Sequence, residues 1–515
     1  MGEGKKVPAW QVIVAIIFAL ALTAGIATWI AIGTRVDEET VDNSPKANDP
    51  FLEEYVKIPD EEYGYKLLPE YTHRDRKESF TAFVLNMTSH QWLSPDKVTR
   101  TLWWHFMTIV IPDNIVYPDV GCLYITGGSN NNDPVDPARD AELVLVRTVA
   151  TRVGIVCAIQ RQNPNGRFKF FEDPENKYRS GDDLIAFTMK YFMERHRDDP
   201  EALLLVPMTK SATRGLDTIT KFADKRINRF FVTGASKRGW ASWLTAAVDD
   251  RVIGVAPLVL DILNMVPNFA HHYRSMNGWA WALKDYWYHN ITLYLNEPMA
   301  YLATDIIDPF SYRELLTLPK YIVTASMDEF FLPDDAHYFY DQMLGPTYLR
   351  VHQNTDHALV GRYNEIADEL SGFVLMVLEG WEFPTLTWTR TEGAGQGMIT
   401  VTSDRTPVNV TAWSADTHTS TRRDFRILVA RTPNTTDVQL QPTRYRNIGV
   451  GNPEENTYQA IVDIPKTGWR CFFIEQMMFE APKNQHIVFT TEVNIVPDTF
   501  PSEDCVDWEC KGTLW

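Results

Sequence analysis

The sequence predicts an α/β fold in which a mostly parallel sheet lies under a helical cap and is followed by a β-sandwich. Three observations predict it. Between Trp103 and Leu260, short apolar runs alternate with amphipathic helical stretches, the pattern of parallel strands joined by crossover helices. One of those runs, Phe230 to Thr233, passes through Gly234-Ala-Ser236 directly into a helical stretch from Arg238 to Val248. From Thr385 the helical period disappears, and short strand-like runs are separated by Gly, Pro, Asn and Asp.

At 515 residues the chain is long enough for two or three domains. With 44% hydrophobic and 23% charged residues it has the composition of a globular protein with a substantial core. The net charge is −18 and no Lys/Arg run is long enough to follow a phosphate backbone, so nucleic acid is not an expected partner. Among the cysteines, Cys122 and Cys157 lie in apolar runs and read as buried thiols. Cys505 and Cys510 are spaced to close a small disulfide loop, and Cys471 is left over.

Taken in order, residues 1–9 read as a cytoplasmic tail and Trp10 to Ile32 as a transmembrane signal anchor. Those 23 uncharged residues span about 34 Å as a helix, enough for a hydrocarbon core of roughly 30 Å. Lys5 and Lys6 precede the segment and Asp37, Glu38 and Glu39 follow it, which orients the N-terminus to the cytoplasm. The expected partner there is a membrane, with a luminal or extracellular body, or a secreted one if the segment is cleaved. Residues 33–50 read as a stalk. Sequons at Asn86, Asn290, Asn409 and Asn434 all follow the anchor, as glycosylation would require. Around Asn409, strand alternation places Asn409 and Thr411 on one face and Val408 and Val410 on the other.

Residues 51–383 form the expected main domain. Strands are predicted at Trp103–Ile111, Gly121–Thr126 and Val153–Ile159, with a helix near 139–151 making a parallel crossover between the last two. Ser180-Gly-Asp-Asp183 opens a helix over Leu184–Arg195 in the manner of a capping box, and a further helix covers Ser211–Lys225. After the strand Val252–Leu260, residues 262–318 break the rhythm with a helical, aromatic stretch. It reads as a cap over the sheet, with Trp279, Trp281 and Tyr286 as candidate substrate-binding residues. Strands Tyr321–Ala325 and Tyr348–His352 and the helix Tyr363–Glu379 complete this domain. Residues 384–500 form a β-sandwich and 501–515 a tail.

Serine at a strand-to-helix turn is lifted above the sheet with its hydroxyl exposed. Acyl transfer by such a serine needs a base, a carboxylate to hold the base, and dipoles facing the developing oxyanion. Ser236, Asp328 and His357 follow strand-like runs in the chain order Ser, Asp, His, separated by 92 and 29 residues. Asp261, at another strand end, is the rival acid, but it leads into the cap. Oxyanion donors are expected from the Lys237 backbone N–H and from the Gly127-Gly128 loop. The usual second glycine after the serine is displaced by Arg238 and comes at Gly239. Adjacent His271 and His272 face differently on a helix, and no phosphate-cradling glycine loop is present, so neither metal nor cofactor is expected.

These residues resemble the PhoPQ-activated pathogenicity-related protein family, in its eukaryotic branch. The resemblance rests on Leu205-Val-Pro-Met-Thr-Lys-Ser-Ala212, Gly234-Ala-Ser-Lys-Arg-Gly-Trp240, His271-His-Tyr-Arg274, Gly278-Trp-Ala-Trp281, Asp308-Pro-Phe-Ser-Tyr-Arg313 and Asp328-Glu-Phe-Phe-Leu-Pro333. It implies an α/β-hydrolase relative with a β-rich C-terminal portion, and triad positions at Ser236, Asp328 and His357. The expected function is a membrane-anchored, extracytoplasmic serine hydrolase acting on an ester or amide. The alternative, since the family's members are named for regulation rather than for a reaction, is a non-catalytic signalling or growth-regulating factor that binds a receptor.

Overall fold

The computed structural model describes residues 50–481 and 485–515, with only the backbone described for residues 476–481. The expected cytoplasmic tail, transmembrane anchor and nearly all of the stalk lie outside the described residues. Among the described residues no helix is long and apolar enough to cross a membrane.

Helix α1 (Phe51–Lys57) leads into strands β1 (Gly64–Leu67), β2 (His73–Asp75), β3 (Phe80–Gln91) and β4 (Leu102–Pro112), which pair antiparallel around β3. Strands β5 (Val120–Ile125) and β6 (Val156–Gln160) pair in parallel across helix α2 (Leu143–Val149), the crossover that the spacing predicts. Then come α3 (Gly181–Arg195), α4 (Leu205–Phe222), β7 (Arg229–Ala235), α5 (Lys237–Val248) and β8 (Val252–Leu258). The cap follows as α6 (Met265–Met276), α7 (Lys284–Tyr288) and α8 (Pro298–Ile307). Strand β9 (Lys320–Ala325), β10 (Thr347–His352) and α9 (Tyr363–Leu378) close the α/β part.

Across the sheet the order is β1-β3-β4-β6-β5-β7-β8-β9-β10, and every neighbouring pair from β6 to β10 is parallel. Strands β5, β6 and β9 are buried at every position, as parallel strands covered on both faces must be. One face is covered by α2 and α9, through Val146, Val149, Phe373 and Val374. The other is covered by α4 and α5, through Leu216, Ile219, Trp243 and Leu244.

Two helix starts differ from expectation. Helix α4 begins at Leu205 rather than Ser211, because Pro207 falls in its first turn, where no intrahelical N–H is required. At α3 the Ser180 side chain makes no capping bond. The acidic residues of that turn are engaged elsewhere: Asp183 with Arg179 and His289, and Asp182 with Lys237.

The β-rich C-terminal part is joined to the main sheet, which corrects the expectation of a separate sandwich. Strand Gln485–Thr490 pairs antiparallel with β10, and Arg470–Ala481, Val410–Asp416 and Arg446–Ile448 extend it, giving a fifteen-stranded sheet. A second, four-stranded sheet (Leu386–Gly393, Gln396–Ser403, Thr457–Asp463, Gly451–Glu454) faces this extension. Ile399, Val401 and Ala460 share one core with Phe472, Ile474, Val496 and Phe373 of α9. The physical reason is that β10 would otherwise be an open edge, and Ile487 and Phe489 supply an apolar strand to close it. The tail carries the Cys505–Cys510 disulfide, while Cys122, Cys157 and Cys471 are buried thiols.

Candidate active site

Strand β7 delivers Ser236 to the C-terminal end of the parallel strands, and α5 starts at the next residue. Ser236 has φ +59° and ψ −132°, a conformation that an L residue adopts only when its surroundings impose it. Its N–H donates to Leu258 O at 2.9 Å, which ties the turn to β8. A Cβ on Gly234 would sit 2.6 Å from Arg238 O and 2.9 Å from Ile125 O, so the first glycine is a steric requirement. A Cβ on Gly239 would lie 3.0 Å from both Gly234 O and Leu258 O. The helix therefore crosses the strand ends at position 239, which is why the second glycine falls there.

The displaced residue, Arg238, turns under the neighbouring loop. Its Nε donates to Asn163 O at 2.5 Å, and its guanidinium occupies the space a side chain on Gly127 would need, with Nη2 at 2.4 Å from an added Cβ. Burial pushes Arg238 below the ordinary arginine range. Gly128, at φ +145°, lies against the Gln162 backbone. The two glycines are thus accounted for by close packing on Arg238 and Gln162.

Asp328 and His357 come together from the ends of β9 and β10. The His357 Nδ1 lies 2.7 Å from Asp328 Oδ2, and Asp328 Oδ1 accepts the N–H groups of Phe330 at 2.7 Å and Phe331 at 3.2 Å. The carboxylate is therefore fixed at both oxygens. Glu329 Oε2 accepts the His357 backbone N–H at 2.9 Å, which fixes the loop as well; burial raises the Glu329 carboxyl above its usual range. The imidazole packs against Phe330, ring centroids 4.4 Å apart, and His357 Nε2 is buried and carries no hydrogen bond. Ser236 is thus not hydrogen-bonded to His357 in this conformation; Phe330 and Phe331, which pack on the imidazole, line one pocket with Ser236. The rival Asp261 does not pair with His357. It is buried, and its carboxyl is raised far above the usual range by burial and by the nearby Asp328.

The pocket lies between α3, α5 and the cap. Of the three aromatic residues singled out in the cap, Trp279 and Tyr286 line it. Trp281 does not: its Nε1 donates to Leu428 O at 3.0 Å, so it anchors the cap to the β-rich part instead. Lys237 enters the pocket wall beside Ser236, with Nζ 2.8 Å from Asp182 Oδ2; burial pulls its pKa below the ordinary lysine value. Sequence reasoning missed three groups. Asp182 was hidden because an acid in a first helical turn reads as a cap. Glu329 and the Phe330-Phe331 pair lay inside a recognised stretch but gave no sign of facing the imidazole.

His271, Asp334 and Asp335 offer ligand atoms close enough for one ion, but Asp334 is already paired with His271 at 3.0 Å and with Arg423. His272 instead accepts the Ala280 N–H. Among the sequons, Asn409 and Asn434 are exposed, whereas Asn86 and Asn290 are half-buried. The alternation expected around Asn409 does not reach Val408, which is 58% exposed, because the strand starts only at Val410.

The strained serine turn, the mixed sheet that presents it and the cap above it define an α/β-hydrolase-like architecture. The chain belongs to the PhoPQ-activated pathogenicity-related protein family, whose model matches residues 52–426. It is 32% identical over 483 residues to autocrine proliferation repressor protein A of Dictyostelium discoideum, a match covering 90% of this chain and 93% of that one. Among solved structures it is similar to acetyl xylan esterase 1 from Thermoanaerobacterium, with TM-score 0.42 and 13% identity over 65% of this chain and 93% of that one. A glucuronoyl esterase from Solibacter usitatus matches with TM-score 0.37 and 12% identity, over 65% and 92% of the respective chains.

Proposed function

We propose that this protein is a serine hydrolase that cleaves an ester or amide, anchored to a membrane by residues 10–32 with its body outside the cytoplasm. The observation that carries the catalytic part is the His357–Asp328 pair at 2.7 Å, whose packing partners Phe330 and Phe331 line one pocket with a serine held in a strained turn. Asp328 holds Nδ1 protonated, which leaves His357 Nε2 as the base. After closing on Ser236, Nε2 takes the Oγ proton while Oγ attacks the substrate carbonyl carbon. The tetrahedral oxyanion is held by the Lys237 backbone N–H and a second donor from the Gly127-Gly128 loop. Collapse breaks the bond to the alcohol or amine, which leaves with the proton from His357. Water then attacks the acyl carbon as His357 takes its proton; the bond from that carbon to Ser236 Oγ breaks, Oγ recovers the proton from His357, and the acid leaves. Catalytic hydrogen bonds are often long or unmade without substrate and tighten in the complex, so the open Ser236–His357 contact accords with this cycle.

The test is labelling of the purified ectodomain with a fluorophosphonate. Wild type should label and Ser236→Ala should not; a folded wild-type protein that stays unlabelled would sink the reading. A second reading has one observation behind it, the relative named for repression of proliferation. It makes the protein a non-catalytic factor acting through a receptor, and Ser236→Ala would then retain full signalling activity. Glycans at Asn86, Asn290, Asn409 and Asn434 belong with the extracytoplasmic placement and would be seen as a mobility shift on deglycosylation.

A further inference from the structure

The cavity beside Ser236 is narrow and almost wholly apolar. Its walls are formed by side chains such as Met189, Met193, Leu260, Ile262, Ile291 and Phe330. The charged groups in the wall are Lys237 and Asp182, and they neutralise each other at 2.8 Å, with Tyr286 OH on the second Asp182 oxygen at 3.4 Å. Neither is left over to pair with an ammonium or a carboxylate of a substrate, and burying a further unpaired charge there would be strongly unfavourable. Whatever enters this space beside Ser236 is uncharged and apolar.

The geometry also says which half of the substrate it is. Leaving-group departure requires His357 Nε2 to hand it a proton, so the leaving group must lie against the imidazole. His357 is not among the described residues lining the cavity; it is separated from it by Phe330 and Phe331, which touch both. The leaving group therefore points away from the cavity, and the cavity remains for the acyl part. Its size sets a length. An apolar cavity of about 150 Å3 holds a benzene ring. The present volume is about 80 Å3, which by the same measure is room for roughly three or four carbons.

Resting on the hydrolase reading, we infer that the substrate is an ester or amide of a short, uncharged, apolar acyl group. The cap and α3 select that group by its length, and the leaving group lies outside the cavity and is weakly specified. Each methylene that enters an apolar pocket improves transition-state binding about fourfold, so butyryl should exceed acetyl by about 15-fold.

The experiment measures kcat/KM of the purified full-length protein on p-nitrophenyl acetate, butyrate, hexanoate and decanoate, with fluorophosphonate labelling run in parallel. The expected result is a rise of about 15-fold from acetate to butyrate and no further gain by decanoate. Two wall variants, Met193→Ala and Met189→Ala, widen the cavity without touching the catalytic groups, and each should move the preferred chain longer. A labelled enzyme that prefers acetate, or whose chain preference is the same in both folded variants, overturns the acyl assignment while leaving the hydrolase intact. An unlabelled protein with no activity on any ester overturns both.

Discussion

Asp328 shows how much chemistry one side chain can hold in place. Its Oδ1 accepts two backbone N–H groups, from Phe330 and Phe331, and both its oxygens reach His357 Nδ1, Oδ2 at 2.7 Å and Oδ1 at 2.9 Å. An asparagine fits the same space and keeps Oδ1 in its two bonds, but it then presents an N–H to Nδ1. In the proposed triad, Nδ1 facing that N–H becomes an acceptor and the ring proton moves to Nε2, where the imidazole cannot take one from Ser236. Asp328→Asn should therefore lower the fluorophosphonate labelling rate by about 10^4, with the thermal midpoint little changed. A variant that labels within tenfold of wild type would show that His357 is not the base.

At the scale of elements, the cap is held by buried polar groups as much as by its apolar face. Asp308, after α8, accepts N–H bonds from Asn264, Met265 and Phe310, so it binds the start of α6 to the end of α8. Burial pushes its carboxyl up to about 7, against the pull of those three N–H groups. Between about pH 4 and pH 7 the folded state then holds a proton that the unfolded chain has released. The stabilisation is complete below the unfolded value and is lost as the pH rises through 7. Between pH 5 and pH 8, wild type should lose about 3 kcal/mol more unfolding free energy than Asp308→Asn, which does not titrate. Denaturant titrations at the two pH values measure it, and equal slopes for the two proteins would remove Asp308 from the account. The tail stiffens the same cap from outside. Trp279 N–H donates to Thr513 O and Trp515 N–H donates to Trp279 O, beside the Cys505–Cys510 loop, so a wall of the pocket is built on the last residues of the chain.

The whole molecule depends on continuity across the sheet. Arg350 on β10 is buried and pairs with Glu369 at 2.7 Å, Glu365 at 2.8 Å and Glu475 at 3.2 Å, the last from the C-terminal strands. Tyr321 on β9 donates to Val488 O at 2.7 Å. Cutting the chain at residue 383 would open the β10 edge, expose Phe373 of α9 and leave Arg350 with one partner fewer. Residues 51–383 expressed alone should aggregate, whereas residues 51–515 should stay soluble; a soluble, cooperatively melting 51–383 fragment would show that the two parts fold independently.

Much of this was legible in order along the chain. Strand runs such as Gly121–Thr126 and Tyr321–Ala325, the crossover between β5 and β6, and the turn at Ser236 all depend on local periodicity and on glycine, which a single sequence displays. Less visible were pairings between distant segments. An acid in a first helical turn, as at Asp182, reads as a cap, yet its partner is Lys237; an aromatic cap residue, as at Trp281, reads as pocket lining, yet its indole N–H donates to Leu428 O. The glycine after Ser236 looked misplaced until the crossing of α5 over the strand ends explained it. By itself the sequence determined which segments form strands and helices, where the serine turn lies and in what order Asp328 and His357 follow. Only the tertiary structure decided that the C-terminal strands complete the same sheet, that Lys237 is neutralised and that the space beside Ser236 is apolar. Periodicity is a local property of the backbone, whereas partner choice depends on which remote surfaces meet when the core closes.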